Sequence, residues 1–94
     1  MLQSVNVGDI VVKQVGWSMI IYEFYKILRT TKTQMILMPM MKDVCYDENH
    51  DNFHPIVKPV DISLPNSELV RCSKKAFDYC EYDPNHKYVE DHLD

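Results

Sequence analysis

Hydrophobic residues between Gly16 and Asp43 occupy both sides of any extended pattern. In a strand that starts near Met19, alternate positions place Ile20, Tyr22, Phe24 and Leu28 on one face and Met19, Ile21, Tyr25 and Ile27 on the other. After a polar break at residues 30–33, residues 34–43 again carry apolar side chains on both faces. The β-branched and aromatic residues, the threonine-rich break and Pro39 favour a long hairpin from Met19 to Asp43. The rival interpretation is a helix from Trp17 to Leu28.

Residues before and within this hairpin predict a further strand and the length of the turn. Residues 10–15 form a short β-branched run between Gly8 and Gly16, which predicts a strand. The hairpin turn has no Asn-Gly or Asp-Gly pair, so we expect a loop of roughly three or four residues.

The second half of the chain is less regular. Residues 44–54 are polar and acidic and predict a surface loop, and prolines then divide residues 56–58 and 60–62 into short edge strands. A strand is expected up to about Cys72, while residues 73–82 fit either a strand or a helix. Residues 83–85 predict a turn, and residues 89–94 are expected to fray.

These elements predict one mainly β domain over residues 1–94, a small curved sheet or SH3-like barrel with a long central hairpin. One face of such a hairpin is buried by the curl of the sheet. The other must be covered by the C-terminal segment, by a second copy or by a partner. We expect that outward face to be apolar enough to support an interaction.

Composition and charge narrow the function classes. The chain is 46% hydrophobic and 26% charged, which is typical of a folded protein. Its net charge of -4 argues against sequence-independent nucleic-acid binding. No apolar run approaches the roughly 20 residues of a membrane span, and no secretion signal is visible. Three irregularly spaced cysteines do not make a disulfide framework, so a cytoplasmic location is expected.

Candidate chemistry is sparse. Cys72, Cys80 and His86 lack the close cysteine pair of a structural zinc site, and we expect the cysteines to be buried as small hydrophobic residues. His50 and His54 lie in the acidic segment. We expect no functional metal site there, and the alternative is adventitious capture of a metal ion. The two glycines are too far apart for a phosphate-binding loop. We therefore expect no cofactor, no metal site and no enzymatic activity.

Aromatic residues supply the main candidate binding site. Interfaces are enriched in tryptophan and tyrosine, which bury a large area and lose few rotamers. The candidate contact residues are Trp17, Tyr22, Tyr25, Asp47, Tyr79 and Tyr82. The alternative is that about half of the rings fill the core.

Short motifs at both ends resemble a family of small proteins encoded by phages and mobile elements. The matching segments are Gly8-Asp9-Ile10, Gly16-Trp17, Glu23-Phe24-Tyr25, Phe77-Asp78-Tyr79, Tyr82-Asp83-Pro84-Asn85 and Lys87-Tyr88. Residues 18–21 depart from the polar stretch that the family has after its aromatic turn. The resemblance implies an accessory protein of the host-cell cytoplasm that binds, and in some cases inhibits, a host protein.

Two further expectations stay open beside that one. Self-association through the apolar hairpin face would make the protein a homo-oligomer. Alternatively, the same rings would stack bases in a nucleic-acid or nucleotide binder, with phosphate contacts from Lys26, Arg29, Arg71, Lys74 and Lys75. Steep weakening of a complex with rising salt would identify nucleic-acid binding.

Overall fold

A computed structural model describes Leu2 and residues 4–45 and 54–92, and this part of the chain contains seven strands and no helix. The strands are β1 (Ile10–Val15), β2 (Ile21–Thr30), β3 (Gln34–Cys45), β4 (Ile56–Ser63), β5 (Val70–Ser73), β6 (Tyr79–Glu81) and β7 (Tyr88–Val89). They form one antiparallel sheet in the order β6-β1-β2-β3-β4-β7, with β5 beside β3. The sheet curls into a half-barrel, which confirms the predicted small, mainly β fold.

The long central hairpin is confirmed, and the helical alternative is wrong. β2 and β3 pair from Tyr25↔Pro39 to Thr30↔Met35, and residues 31–33 form the turn. Thr31 closes this turn because its side-chain Oγ1 accepts the Gln34 N–H at 3.0 Å and its own N–H donates to the Gln34 carbonyl at 2.9 Å. The register shifts between Ile27 and Arg29, which marks a β-bulge at Leu28.

β3 is the strand on which the rest of the sheet is assembled. It pairs with β2 only as far as Pro39, which has no N–H to donate to a ladder. On its other edge, residues 34–37 pair with β5 and residues 40–45 pair with β4. Beyond Pro39, therefore, β3 is no longer paired with β2 and is paired with β4 instead.

The chain itself covers the middle of both faces of the hairpin. On one face, Leu2 and Tyr79 pack over a cluster built on Ile27, Met35 and Leu37. On the other face, Val57 of β4 and Tyr88 of β7 pack over Phe24, with Val12 and Met40 in the same cluster. Of the three possible covers, the chain itself provides this one, from Leu2 near its start and from β4, β6 and β7. The middle of the hairpin therefore has no exposed apolar face, whereas Leu28, Met41 and Val44 nearer its ends are 39%, 36% and 41% exposed.

Two boundaries differ from the predictions. β3 continues to Cys45, two residues into the expected loop, because Val44 and Cys45 pair with Val57 and Ile56 of β4. Residues 56–63 form one strand rather than two, since Pro59 lies within the β3–β4 ladder opposite Lys42. The rest of the predicted loop, residues 46–53, lies outside the described residues.

The end of the described chain is also paired where fraying was expected. Val89 pairs with Ile56, and the Glu90 N–H donates to the Pro55 carbonyl at 2.9 Å. Asp91 exchanges two backbone hydrogen bonds of 2.9 Å with Ile20, at the start of β2. Prediction of a frayed tail does not hold for residues 89–91, because they link β4 to β2.

Two remaining segments resolve as follows. Residues 79–81 are strand β6, paired with β1, so the helical alternative for residues 73–82 is excluded. The predicted turn after Tyr82 is present at residues 84–85. Within the described ranges, no helix has the length and apolarity that crossing a membrane would require.

Candidate interaction site

The turn between β1 and β2 presents Trp17, whose side chain is fully exposed. Gly16 precedes it with φ of 112°, a backbone conformation that side-chain-bearing residues rarely adopt. A Cβ added at Gly16 would lie only 2.4 Å from the Met19 carbonyl oxygen. The turn is therefore tight because residue 16 is glycine, and the indole is held out from the end of the sheet.

Contacts at the start of β2 hold the base of this turn. Ile20 is paired with Asp91 through backbone hydrogen bonds in both directions. Two residues further on, the Tyr22 N–H donates to Glu90 Oε2 at 2.9 Å. The C-terminal segment thus fixes β2 immediately after the Trp17 turn.

Glu90 fills the gap that opens where β2 and β3 separate. Its side chain is 2% exposed, and Oε2 also accepts from Lys42 Nζ at 2.5 Å. Lys42 Nζ donates in addition to the Tyr22 carbonyl at 3.0 Å, and His92 Nε2 lies 2.9 Å from Glu90 Oε1. The ion pair therefore supplies hydrogen-bond partners to nearby backbone groups that no longer find them in the interrupted β2–β3 ladder.

The electrostatics of Glu90 follow from those contacts. Burial alone would raise the pKa of its carboxyl, but hydrogen bonds from Lys42, the Tyr22 N–H and His92 outweigh burial and lower it. The carboxylate is consequently charged at neutral pH, and its partners are placed to stabilise that charge. This arrangement suits a structural brace that supports the turn.

Two of the predicted contact residues lie in the core. Tyr25 is 8% exposed and Tyr79 is 4% exposed, and their rings meet edge to face with centroids 5.6 Å apart. The Tyr25 hydroxyl donates to Glu23 Oε1 at 3.2 Å, and Lys13 Nζ lies 5.5 Å from the centre of the Tyr79 ring. Burial raises the pKa of both hydroxyls, that of Tyr79 to about 12. These rings stabilise the fold and are not open to a partner.

Tyr22 and Tyr82 are half-buried in an aromatic group around Tyr88. The Tyr82 and Tyr88 rings stack with centroids 5.5 Å apart, and Tyr22 meets Tyr88 edge to face at 5.3 Å. Phe24 packs against both Tyr82 and Tyr88. The Tyr88 hydroxyl accepts the Asp83 N–H at 3.0 Å, which ties the following turn to the group. These tyrosines hold the β7 segment on the sheet, and base stacking on them would require the group to open.

Among the candidate contact residues that the structure describes, Trp17 alone is fully exposed. Asp47 lies outside the described residues. The alternative, in which about half of the rings fill the core, thus holds for Tyr25 and Tyr79. Residue alternation could have shown this for Tyr25, because it shares a strand face with Ile27.

The Lys42–Glu90 pair is not among the features that the sequence pattern predicts. A signal was present in β3, where Lys42 follows Met38 and Met40 on one strand face. A lysine on an otherwise apolar face needs a buried partner or an exit to solvent. Nothing in the spacing indicated that the partner would be Glu90, which is distant in sequence and was placed in a frayed tail.

The cysteines and histidines do not form a common site in the described part of the chain. Cys45 and Cys72 are partly buried, whereas Cys80 is exposed, contrary to the expectation that the cysteines are buried. Burial raises the pKa of the Cys72 thiol, assisted by the charge of Asp78. In residues 4–45 and 54–92, no group of three His, Cys, Asp or Glu side chains is arranged to hold a metal ion.

Comparison with known proteins does not add a relative. No family model matches the chain, and neither a curated protein nor a solved structure matches it.

Proposed function

We propose that this chain is a non-catalytic binding protein that uses Trp17 as the anchor of a protein–protein contact. The supporting observation is the full exposure of Trp17 on a turn whose ends are held by the Val15–Ile21 pair and the Ile20–Asp91 hydrogen bonds. Water-exposed indole is unfavourable, and tryptophan is among the residues most enriched at the energetic centre of interfaces. A protein pocket that receives the ring would remove a large apolar area from water.

The rigidity of the turn matters for this function. A ring on a mobile loop would lose conformational entropy when it binds, which weakens the complex. Here the Val15–Ile21 pair of the β1–β2 ladder and the Ile20–Asp91 hydrogen bonds restrain the two ends of the turn before a partner arrives. Most of the ring's burial can therefore contribute to affinity.

The identity of the partner as a host protein, and inhibition of that protein, rest on the resemblance to phage and mobile-element proteins. A location in the host-cell cytoplasm follows from the same resemblance. Trp17 belongs to one of the matching motifs, Gly16-Trp17. The exposed side chain of Trp17 thus lies within a motif on which the resemblance depends.

Capture from a bacterial lysate, with and without nuclease treatment, tests this function with three baits: the wild type, Trp17→Ser and Phe77→Ser. Phe77 is the matched control because its ring is also exposed, at 81%. We expect a protein that the wild type and Phe77→Ser retain and that Trp17→Ser loses. Retention of the same proteins by all three baits would contradict the proposal, as would a partner that disappears on nuclease treatment.

Fluorescence then provides a direct measurement with the purified partner. Trp17 is the sole tryptophan of the chain, so its emission reports on this position alone. Entry of the indole into a protein pocket should shift the emission to shorter wavelength if the partner's own signal is subtracted. For Trp17→Ser we expect an affinity at least about 30-fold weaker, the scale of an interface hot spot.

A further inference from the structure

A second surface lies at the opposite end of β2, where three cross-strand neighbours form one row. Arg29 of β2 is paired with Ile36 of β3, and Ile36 is paired with Arg71 of β5. Directly opposed residues of antiparallel strands project from the same face of a sheet. Two arginines therefore flank one isoleucine on a single face.

The β-bulge at Leu28 creates this row. Ile27 is paired with Leu37, so an uninterrupted ladder would place Leu28 opposite Ile36 and Arg29 opposite Met35. Met35 is fully buried in the core, where an arginine would be strongly unfavourable. The extra residue instead turns Arg29 to the outer face, in keeping with the use of bulges to redirect a side chain.

An apolar groove accompanies the arginines. A depression of about 300 Å³ is lined by Leu28, Arg29, Ile36 and Leu69. Leu28 and Leu69 are 39% and 59% exposed, whereas Ile36 forms a buried floor at 6%. Arg71 is held beside this floor because its Nη1 donates to Gln34 Oε1 at 3.1 Å.

The charge of this end is one-sided. Residues 28–34 and 69–76 contain five basic residues and no acidic one: Arg29, Lys32, Arg71, Lys74 and Lys75. The two segments are adjacent in space, since the Lys74 N–H donates to the Thr33 carbonyl at 3.0 Å. This positive end stands out in a chain whose net charge is -4.

We propose that this groove binds an acidic segment of a partner protein, with an apolar side chain between the two arginines and carboxylates on their guanidinium groups. Arginine suits this role because its planar donors can bind a carboxylate through two parallel hydrogen bonds. Apart from Arg29, the lining side chains are aliphatic, and none of the four is an aromatic ring on which a base would stack.

Binding of labelled peptides tests the groove by fluorescence anisotropy. The probe is a peptide of repeated Glu-Leu-Glu triplets. A peptide of Glu-Ser-Glu triplets keeps the charge and removes the apolar side chains, and an oligothymidylate of equal length represents nucleic acid. We expect the leucine peptide to bind more tightly than either of the others.

Three variants locate the contact. Arg71→Gln should weaken binding of the leucine peptide about tenfold, through loss of a charge-assisted contact. Leu69→Ser should weaken it about fivefold through loss of apolar contact. Lys58→Gln, which removes one charge from an exposed position of β4, should stay within about twofold of the wild type. Circular dichroism verifies that each variant is folded.

Three results would overturn the proposal: no binding of the leucine peptide, equal effects of Arg71→Gln and Lys58→Gln, or tighter binding of the oligothymidylate. The groove is independent of the proposed Trp17 contact, since β2 separates the two by about 25 Å. Trp17→Ser should therefore bind the peptide as the wild type does. Failure of one proposal thus leaves the other intact.

Discussion

Replacement of Glu90 by glutamine tests whether the buried ion pair braces the divergence of β2 and β3. The substitution conserves shape but removes the negative charge that Lys42 contacts. It also exchanges one carboxylate oxygen for an amide NH₂ group. On the Oε2 side, that group would face the donors of Lys42 and Tyr22.

The expected cost follows from those contacts. Breaking a fully buried ion pair costs about 3–5 kcal/mol, because the remaining charge is left without a partner. Lys42 is 34% exposed at its side chain, so water can solvate it and the cost is smaller. Glutamine also retains one acceptor oxygen. We therefore expect a loss of about 2 kcal/mol in the free energy of unfolding, or about 8–16 °C in Tm for a domain of this size.

Asp61→Asn is the matched control. Asp61 also pairs with a lysine, Lys26, at 3.0 Å, but its side chain is 69% exposed. Exposed ion pairs contribute about 0–1 kcal/mol, so this variant should lose less than 1 kcal/mol. Urea denaturation followed by far-ultraviolet circular dichroism measures both variants. Equal stabilities of Glu90→Gln and Asp61→Asn would refute the role of Glu90 as a buried brace.

The pH dependence gives an independent check. The pKa of Glu90 is lower in the folded chain than its ordinary value of 4.5, so ionised Glu90 favours the folded state. Its contribution is complete above that ordinary value and is lost as the pH falls through the lowered one. The stability difference between the wild type and Glu90→Gln should therefore be constant near neutral pH and shrink below about pH 4.5. A difference that grows on acidification would contradict the assignment.

Two further substitutions test the turn and the core. Gly16→Ala should lose about 1–3 kcal/mol of unfolding free energy in urea denaturation, because its Cβ meets the Met19 carbonyl. Gly8→Ala should lose less, since its φ is also positive but its Cβ meets nothing within 4 Å. The reverse order would contradict the steric argument. Since the pKa of Tyr79 is raised to about 12 in the folded chain, stability should fall as the pH rises from 10 to 12, and Tyr79→Phe should show a shallower fall in the same measurement. An unchanged alkaline slope in Tyr79→Phe would show that this hydroxyl is not buried.

The two-sided apolar pattern of the hairpin has a structural explanation. A hairpin with one wet face would alternate apolar and polar residues, whereas β2 carries Phe24 and Tyr25 next to each other, both buried. Each face has its own cluster, and the two clusters are covered by different parts of the chain. The interaction surfaces proposed above consequently lie at the ends of the sheet, where Trp17 and Leu69 remain exposed.

Part of the candidate site followed from the sequence, and part did not. Trp17 was identified through a general property of interfaces and lies exposed after a glycine turn. Tyr25 and Tyr79 were chosen by the same property, yet their rings meet in the core. Residue type alone does not separate these cases, because tyrosine is suited both to cores and to surfaces.

The local pattern of the sequence was sufficient for β1, for the β2–β3 hairpin and for the mainly β fold, because strand propensity and turn residues act over a few neighbours. Tertiary structure alone decided which segments cover the two hairpin faces, that Glu90 meets Lys42, and that Arg29 and Arg71 flank Ile36. Each of these depends on contacts between residues far apart in the chain, and the arginine row depends in addition on a bulge that changes the register by one position. The physical reason is that burial and register are set by long-range contacts, which alternation within one strand does not encode.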